Sequence, residues 1–113
     1  MNEDKRQTQR VGFTSEVSAF SVLPSKSGHI FEVYPQHHLY HSVDISRGGI
    51  RLTTHKPFPQ DSILKLKVEI LKKRPLDIFA RVVWSNDHHT GLKFIVLHEE
   101  VQRHIAQYTR TSE

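Results

Sequence analysis

The sequence predicts an all-β domain: a small, split antiparallel β-barrel of six to seven strands, followed by a C-terminal α-helix. The chain of 113 residues holds several short runs rich in β-branched and aromatic residues, separated by polar loops with Pro or Gly. One run alternates apolar and polar side chains with the period of two that marks a strand with one buried face. Near the end of the chain, the period lengthens to that of an amphipathic helix. Closing many short strands into a barrel removes exposed sheet edges, which are the usual liability of small β proteins.

Each predicted strand is an apolar run that ends at turn-forming residues. The clearest is the run at 63–71, whose alternate residues share one apolar face: Leu64, Leu66, Val68 and Ile70. Pro35 is expected to end the second strand, because proline cannot donate to a strand ladder. The polar segment 85–90 is expected to be a hairpin loop. The predicted strands are residues 11–23, 29–34, 39–45, 49–54, 63–71, 76–84 and 91–97.

The tail is predicted to form a helix over about residues 99–108. Val101, Ile105 and Tyr108 stand four and three residues apart, which places them on one face of a helix. Acidic Glu99 in the first turn and basic Arg110 at the end both fit the helix dipole. We expect this helix to close the barrel.

Composition restricts the classes of function. The formal net charge is +4, from 16 basic and 12 acidic residues, and this favours an anionic partner without choosing among nucleotides, nucleic acids and acidic proteins. The chain has no cysteine, which excludes disulfides, thiolate metal sites and cysteine nucleophiles. No stretch approaches the roughly 20 apolar residues of a membrane-spanning helix, and no apolar signal-peptide core follows Met1. The sequence therefore predicts a cytoplasmic protein without membrane insertion.

The chain is predicted to divide into an arm and one domain. Residues 1–10 are almost wholly polar and lack apolar periodicity, so they are expected to form a flexible arm that carries Arg6 and Arg10. Residues 11–110 are expected to form the barrel and its helix. Because the arm has no apolar side chain to anchor it after Met1, we expect it to become ordered only when a ligand binds.

The turn between the predicted strands 39–45 and 49–54 carries the most informative polar residues. Asp44 accepts hydrogen bonds when ionised, and Ser46 can donate and accept. Gly48 and Gly49 permit a positive φ or a close approach of backbone N–H groups to a ligand. The arginines of the arm add planar guanidinium groups that suit phosphates and guanine edges. Together, these residues suit a guanine nucleotide that carries phosphate.

Each of these residues also has a structural interpretation. A basic terminal segment can simply be solvated. Asp44 and Ser46 can bond to the backbone of their own turn, and this does not prevent them from also contacting a ligand. The histidines, among them His37, His38 and His41, are better explained as loop and edge residues than as a zinc site, because no carboxylate completes a recognisable ligand set. Trp84 is expected in the core or at the barrel rim rather than as a platform for stacking a base.

The pattern R-x-x-x-R (Arg6, Arg10) followed by D-x-S-x-x-G (Asp44, Ser46, Gly49) resembles the signature of PilZ domains, the bacterial receptors for cyclic di-GMP. The order of the predicted elements is also similar to that family. It runs from the arginine arm through the D-x-S-x-G-G turn to the strand ending at Trp84. It then continues through the strand that begins Gly-Leu-Lys-Phe at 91–94 to the closing helix. The resemblance covers about residues 6–108.

The resemblance implies a ligand site. In the family, the two arginines grip guanine edges and phosphates, so Arg6 and Arg10 are expected to do so here. Asp44 and Ser46 are expected to meet a guanine, while Gly49, and beside it Gly48, permit the turn. Lys5 occupies a position where some members of the family carry another arginine. Because of this difference, the resemblance does not decide whether the site binds one or two ligand molecules.

Three functions follow from this pattern. The leading hypothesis is a second-messenger receptor that binds cyclic di-GMP, needs no cofactor and catalyses no reaction, since nothing in the sequence supplies an activating base at a defined spacing to Ser46. Its signal would pass to a separate protein, which by family likeness belongs to motility, pilus or exopolysaccharide machinery. The alternatives are a ligand-independent adaptor and, less favoured, a small basic barrel that binds single-stranded nucleic acid.

Overall fold

The computed structural model describes residues 10–24, 31–71 and 74–111. Within these ranges the chain forms seven strands and one C-terminal helix. The elements are β1 (Val11–Gly12), β2 (Glu16–Pro24), β3 (Phe31–Ile45), β4 (Gly49–Thr53), β5 (Ile63–Val68), β6 (Leu76–Ser85), β7 (His89–Val96) and α1 (Glu99–Thr111).

Six of the strands close into an antiparallel barrel. The strand order is β1-β3-β2-β5-β6-β7-β4, and an additional pairing between β3 and β4 closes the ring. Strand β1 is a short addition that pairs only with the end of β3, with Val11 opposite Ile45. The predicted fold class, a small antiparallel barrel with a C-terminal helix, is therefore confirmed.

The alternation in β5 marks the inner face of the barrel, as the sequence predicts. Leu64, Leu66 and Val68 are buried, while Lys67 between them is exposed. The same cluster of buried side chains includes residues from the other strands and from α1. Burial of these apolar side chains is the main stabilising contribution in so small a domain.

Strand β3 corrects the predicted strand boundaries. Pro35 was expected to end a strand, yet β3 is continuous from Phe31 to Ile45. The ladder between β2 and β3 changes register between Phe20 and Val22, so that His37 pairs with Phe20 and Val33 pairs with Val22. Proline is tolerated at such an irregularity, because its missing N–H interrupts no regular ladder hydrogen bond there.

The hairpin between β6 and β7 is tighter than the predicted loop 85–90. Strand β6 continues to Ser85 and β7 begins at His89. The side chain of Asn86 closes the turn, because its Oδ1 accepts hydrogen bonds from the backbone N–H groups of His88 (2.8 Å) and His89 (2.9 Å). An asparagine that bonds to the backbone two residues ahead replaces a longer loop.

Helix α1 packs against the barrel through the predicted face. Val101 and Ile105 are buried in the common core. Tyr108 packs edge-on against Phe13, with ring centroids 5.1 Å apart, and its hydroxyl donates a 2.6 Å hydrogen bond to the carbonyl of Gly12. The helix continues to Thr111, three residues past its predicted end. No helix in the described part of the chain is both long and apolar enough to span a membrane.

Candidate ligand-binding site

A β-bulge in β3 determines where Asp44 points. Against β4, Ser42 pairs with Leu52 and Asp44 pairs with Arg51, so Val43 is an extra residue between the two pairs. In a regular strand, Asp44 would share the inner face with Ser42, because side chains alternate with a period of two. The extra residue reverses the alternation. Ser42 remains buried at 4% exposure, whereas Asp44 lies opposite Arg51 and reaches the exposed side chain of Arg10.

The carboxylate of Asp44 is held between two arginines. Arg10 Nη1 donates to Oδ1 at 2.9 Å, and Arg51 Nη2 donates to Oδ2 at 2.7 Å. The Asp44 side chain is only 13% exposed, while those of Arg10 and Arg51 are 42% and 37% exposed. One carboxylate facing two guanidinium groups leaves an excess of positive charge, which suits an anionic ligand.

The turn after Asp44 is held by its own hydrogen bonds and by one from β7. Ser46 is buried, its N–H donates to the carbonyl of Gly49 at 2.9 Å, and its Oγ accepts from the N–H of Gly48 at 3.2 Å. The N–H of Phe94 donates to the carbonyl of Gly48 at 2.9 Å. The local interpretation of Ser46, a hydroxyl that satisfies its own turn, therefore holds in this structure.

Gly49 is required for space rather than for an unusual φ. Neither Gly48 nor Gly49 lies in the left-handed region of φ, so the expectation of a positive φ is wrong. A Cβ at residue 49 would overlap the backbone carbonyl oxygen of Leu92 on the neighbouring strand β7. A Cβ at Gly48 would meet nothing within 4 Å. The glycine at 49 therefore permits the close approach of β4 to β7, which brings the turn next to β7.

A second bulge, in β6, brings Trp84 to the surface. Against β7, Val82 pairs with Leu92 and Trp84 pairs with Gly91, so Val83 is the extra residue. Without it, Trp84 would share the inner face with the buried Val82. Instead, its side chain is 43% exposed. Of the two places expected for Trp84, the core and the barrel rim, this exposure excludes the core.

These features meet in one pocket of about 240 Å³ on the side of the barrel where β4, β6 and β7 lie side by side. Its walls combine cationic, polar and aromatic groups. The residues that line it are Arg10, Ser46, Gly48, Gly49, Val83, Trp84, Gly91, Leu92 and Lys93.

The structure brings four of the predicted site residues into this pocket: Arg10, Ser46, Gly48 and Gly49. Asp44 does not line it but contacts Arg10, which does. Lys5 and Arg6 lie outside the described residues, so their predicted role stays a prediction.

The motif missed three residues of this region: Arg51, Trp84 and Lys93. Arg51 could have been predicted from the sequence, because it lies opposite Asp44 when the strands on either side of the turn pair as a hairpin. Trp84 and Lys93 lie on β6 and β7, more than 30 residues after the turn. The sequence does not indicate that these two strands lie beside the turn.

Larger grooves lie elsewhere and are not lined by the motif residues; one, of about 310 Å³, is lined by Glu16, Lys67 and Glu69 among others. A second, of about 430 Å³, lies beside α1 and is lined by Arg47 of the turn, by Leu97 and by helix residues. Another, of about 490 Å³, lies beside Phe13 and Tyr108. Among the described residues, no three His, Asp or Glu side chains are grouped in a way that could hold a metal ion. We identify the 240 Å³ pocket as the candidate site because Arg10, Ser46 and Gly49 of the motif all line it, and not because of its size.

Comparison with known families agrees with this geometry. The sequence model of the PilZ domain matches residues 4–111, which includes the arginine arm, the turn and α1. The chain belongs to the PilZ domain family. No significant match was found among curated protein sequences.

Solved PilZ structures share the fold. The PilZ domain of CeSA from a cellulose-synthesizing bacterium is 12% identical, with a TM-score of 0.64 over 94% of this chain and 100% of that one. MrkH of K. pneumonia in its apo state is 18% identical, with a TM-score of 0.63 over 91% of this chain. MrkH in complex with c-di-GMP is 19% identical, with a TM-score of 0.55 over 89% of this chain. The match spans about half of the MrkH chain, 49% in both structures.

Proposed function

We propose that this PilZ domain is a non-enzymatic receptor that binds cyclic di-GMP in the pocket between the Asp44 turn and Trp84. The observation that carries the proposal is the convergence of Arg10, the glycine turn and an exposed indole in that pocket. A ligand with two phosphates and two guanines needs both a cation and a flat apolar surface. Arginine can address phosphate and guanine, and tryptophan offers a stacking face.

Arg10 is free to exchange Asp44 for a ligand phosphate. The side chain of Arg10 is 42% exposed, and its contact with Asp44 is a single charge-assisted hydrogen bond of 2.9 Å. A hydrogen bond to a ligand phosphate belongs to the same class, which contributes about 1.5–3 kcal/mol. A phosphate contact can therefore replace the Asp44 contact, and Arg10 can move to the ligand.

Trp84 provides the stacking surface. Its indole is held over Gly91 by the β6–β7 pairing, and its outer part remains exposed. Stacking of a base on an aromatic side chain contributes about 1–3 kcal/mol per base. The exposed cation of Lys93, on the same wall, has no carboxylate partner among the described residues and adds to the attraction for phosphate.

Catalysis is not part of the proposal. None of the side chains that line the pocket is a histidine or a carboxylate that could act as a general base. The hydroxyl of Ser46 is buried in its own turn. We therefore infer binding without turnover.

The signal is proposed to leave through the arm and α1 to a separate protein. Arg10 is two residues before Gly12, whose carbonyl accepts the hydrogen bond from Tyr108 of α1. A ligand that moves Arg10 away from Asp44 would therefore also affect the segment at Gly12, to which Tyr108 of α1 is hydrogen-bonded. A change of this kind would give the free and bound forms different surfaces for a partner.

The test is a calorimetric titration of the whole chain with cyclic di-GMP, with GTP, cyclic di-AMP and a single-stranded oligonucleotide as controls. Trp84 is the only tryptophan, so its fluorescence reports on the pocket directly. We expect saturable binding of cyclic di-GMP with a change in Trp84 emission. Binding should weaken as salt rises, because contacts to phosphate are screened.

Absence of binding, with the protein folded, would favour the ligand-independent adaptor. One observation fits that alternative: Arg10 and Ser46 both have partners within the protein. Tight binding of the oligonucleotide instead would favour the nucleic-acid hypothesis.

A further inference from the structure

Asp44 has two arginine partners that are anchored differently. Arg10 lies outside the strands, one residue before the two-residue strand β1, and its side chain lines the pocket. Arg51 lies inside β4, directly opposite Asp44 in the β3–β4 ladder. Its shorter contact, 2.7 Å against 2.9 Å, joins the carboxylate to a strand that is hydrogen-bonded on both sides, by β3 and β7. Arg10 can therefore leave Asp44, whereas Arg51 stays.

The two contacts use different oxygens of the carboxylate. Arg10 occupies Oδ1 and Arg51 occupies Oδ2. A carboxylate has about four lone-pair positions in all, so withdrawal of Arg10 opens Oδ1 while Oδ2 keeps one further position. An ionised carboxylate oriented in this way matches the two neighbouring donors of a guanine edge, N1–H and the 2-amino group.

We propose that Arg51 is a positioning residue for guanine selection: it fixes the carboxylate of Asp44 when Arg10 moves to phosphate. This inference rests on the proposed function. Without Arg51, the released carboxylate would rotate and be solvated, and its fit to two adjacent donors would be lost. Selectivity for guanine, more than general attraction for an anion, therefore depends on Arg51.

One buried nitrogen of Arg51 bears on whether this residue is kept for stability. The Nε of Arg51 is buried and has no hydrogen-bond acceptor among the described residues. An unpartnered buried donor is destabilising. Replacing Arg51 removes this unpartnered donor together with the 2.7 Å contact to Asp44. Because these two effects have opposite signs, we expect little change in the thermal unfolding midpoint, whereas a residue kept for stability would lower it clearly.

The test compares Arg51→Gln with a matched control, Arg81→Gln. Arg81 also lies on a barrel strand and donates to an aspartate, Asp61, at 2.7 Å, and its side chain is 39% exposed. Both variants lose one positive charge. Affinities are measured by calorimetry for cyclic di-GMP and for cyclic di-IMP, whose hypoxanthine lacks the 2-amino group. Arg51→Lys keeps the charge without the planar fork.

We expect Arg51→Gln to weaken cyclic di-GMP binding about tenfold, the equivalent of one lost charge-assisted contact. Its preference for cyclic di-GMP over cyclic di-IMP should fall several-fold, Arg51→Lys should recover part of that preference, and Arg81→Gln should behave as wild type. Unchanged affinity in Arg51→Gln, or equal losses for both ligands, would overturn the inference. A folded wild-type protein that binds neither ligand would instead refute the proposed function, and this inference with it.

Discussion

Trp84 and Gly91 are cross-strand partners in which the glycine provides the space that the indole occupies. A Cβ at residue 91 would overlap three atoms of the indole, Nε1, Cε2 and Cζ2. The indole therefore packs against the backbone of β7 at Gly91, while Trp84 remains 43% exposed. Pairing of the tryptophan with a glycine thus fixes the position of the indole.

The first prediction tests this relationship through Gly91→Val. The new side chain should displace the indole and remove about 1–3 kcal/mol of base stacking from cyclic di-GMP binding. Calorimetry and Trp84 fluorescence measure both effects. Trp84→Ala should lose a similar amount, and the double variant should lose little more than either single variant. Additive losses would mean that Gly91 acts on binding by a route other than Trp84.

The second prediction concerns Arg10, which is proposed to exchange Asp44 for a ligand phosphate. Arg10→Ala should weaken cyclic di-GMP binding by about 1.5–3 kcal/mol, the range for hydrogen bonds to charged groups. The unfolding free energy should change by less than about 1 kcal/mol, because the Asp44 ion pair is partly exposed. Arg110→Ala, on the last turn of α1, is the charge-matched control. If Arg10→Ala bound as tightly as wild type, the arginine would not belong to the site.

The third prediction distinguishes the two glycines of the turn. Gly49→Ala should destabilise the fold by about 1–3 kcal/mol, the usual cost of overpacking, since its Cβ meets the Leu92 backbone, which cannot rotate away. Gly48→Ala should be close to neutral, because the space around it is open. Chemical denaturation of both variants measures the difference. Equal stability of the two would contradict the packing role assigned to Gly49.

The fourth prediction tests the barrel core. Val68 is fully buried on β5, so Val68→Asp should cost several kcal/mol and unfold much of the population, because an unpaired carboxylate would replace an apolar contact. Lys67→Asn, on the exposed face of the same strand, should change stability by no more than about 0.5 kcal/mol. Circular dichroism with thermal melting is the measurement. A cooperative melt at the wild-type temperature for Val68→Asp would show that β5 is not a core strand.

Local patterns were enough to predict the fold class. The period of two in β5 and the period near four in α1 come from contacts between residues close in sequence, so the sequence reveals them directly. The D-x-S-x-x-G turn was found for the same reason, since Asp44, Ser46 and Gly49 form one local unit. Pro35 misled the prediction of β3, because a register change between two paired strands cannot be seen from one of them.

The site itself was only partly predictable. Sequence reasoning named Arg10 and the turn, and the structure places them in one pocket. It missed Lys93, which reaches the pocket through pairing with Gly49 across β4 and β7. It also explained the glycine at 49 by a positive φ or a close approach to a ligand, whereas the constraint in the structure is a carbonyl oxygen on another strand.

The sequence by itself determined the buried faces, the terminal helix and the chemistry of the turn, because each depends on the order of side chains along one segment. Only the tertiary structure decided where Asp44 and Trp84 point. Regular alternation would have turned both into the barrel, and one extra residue in each strand, Val43 and Val83, turns them out. A bulge exists only relative to the strand beside it, and for that reason the directions of these two side chains could be assigned only after the strands were paired.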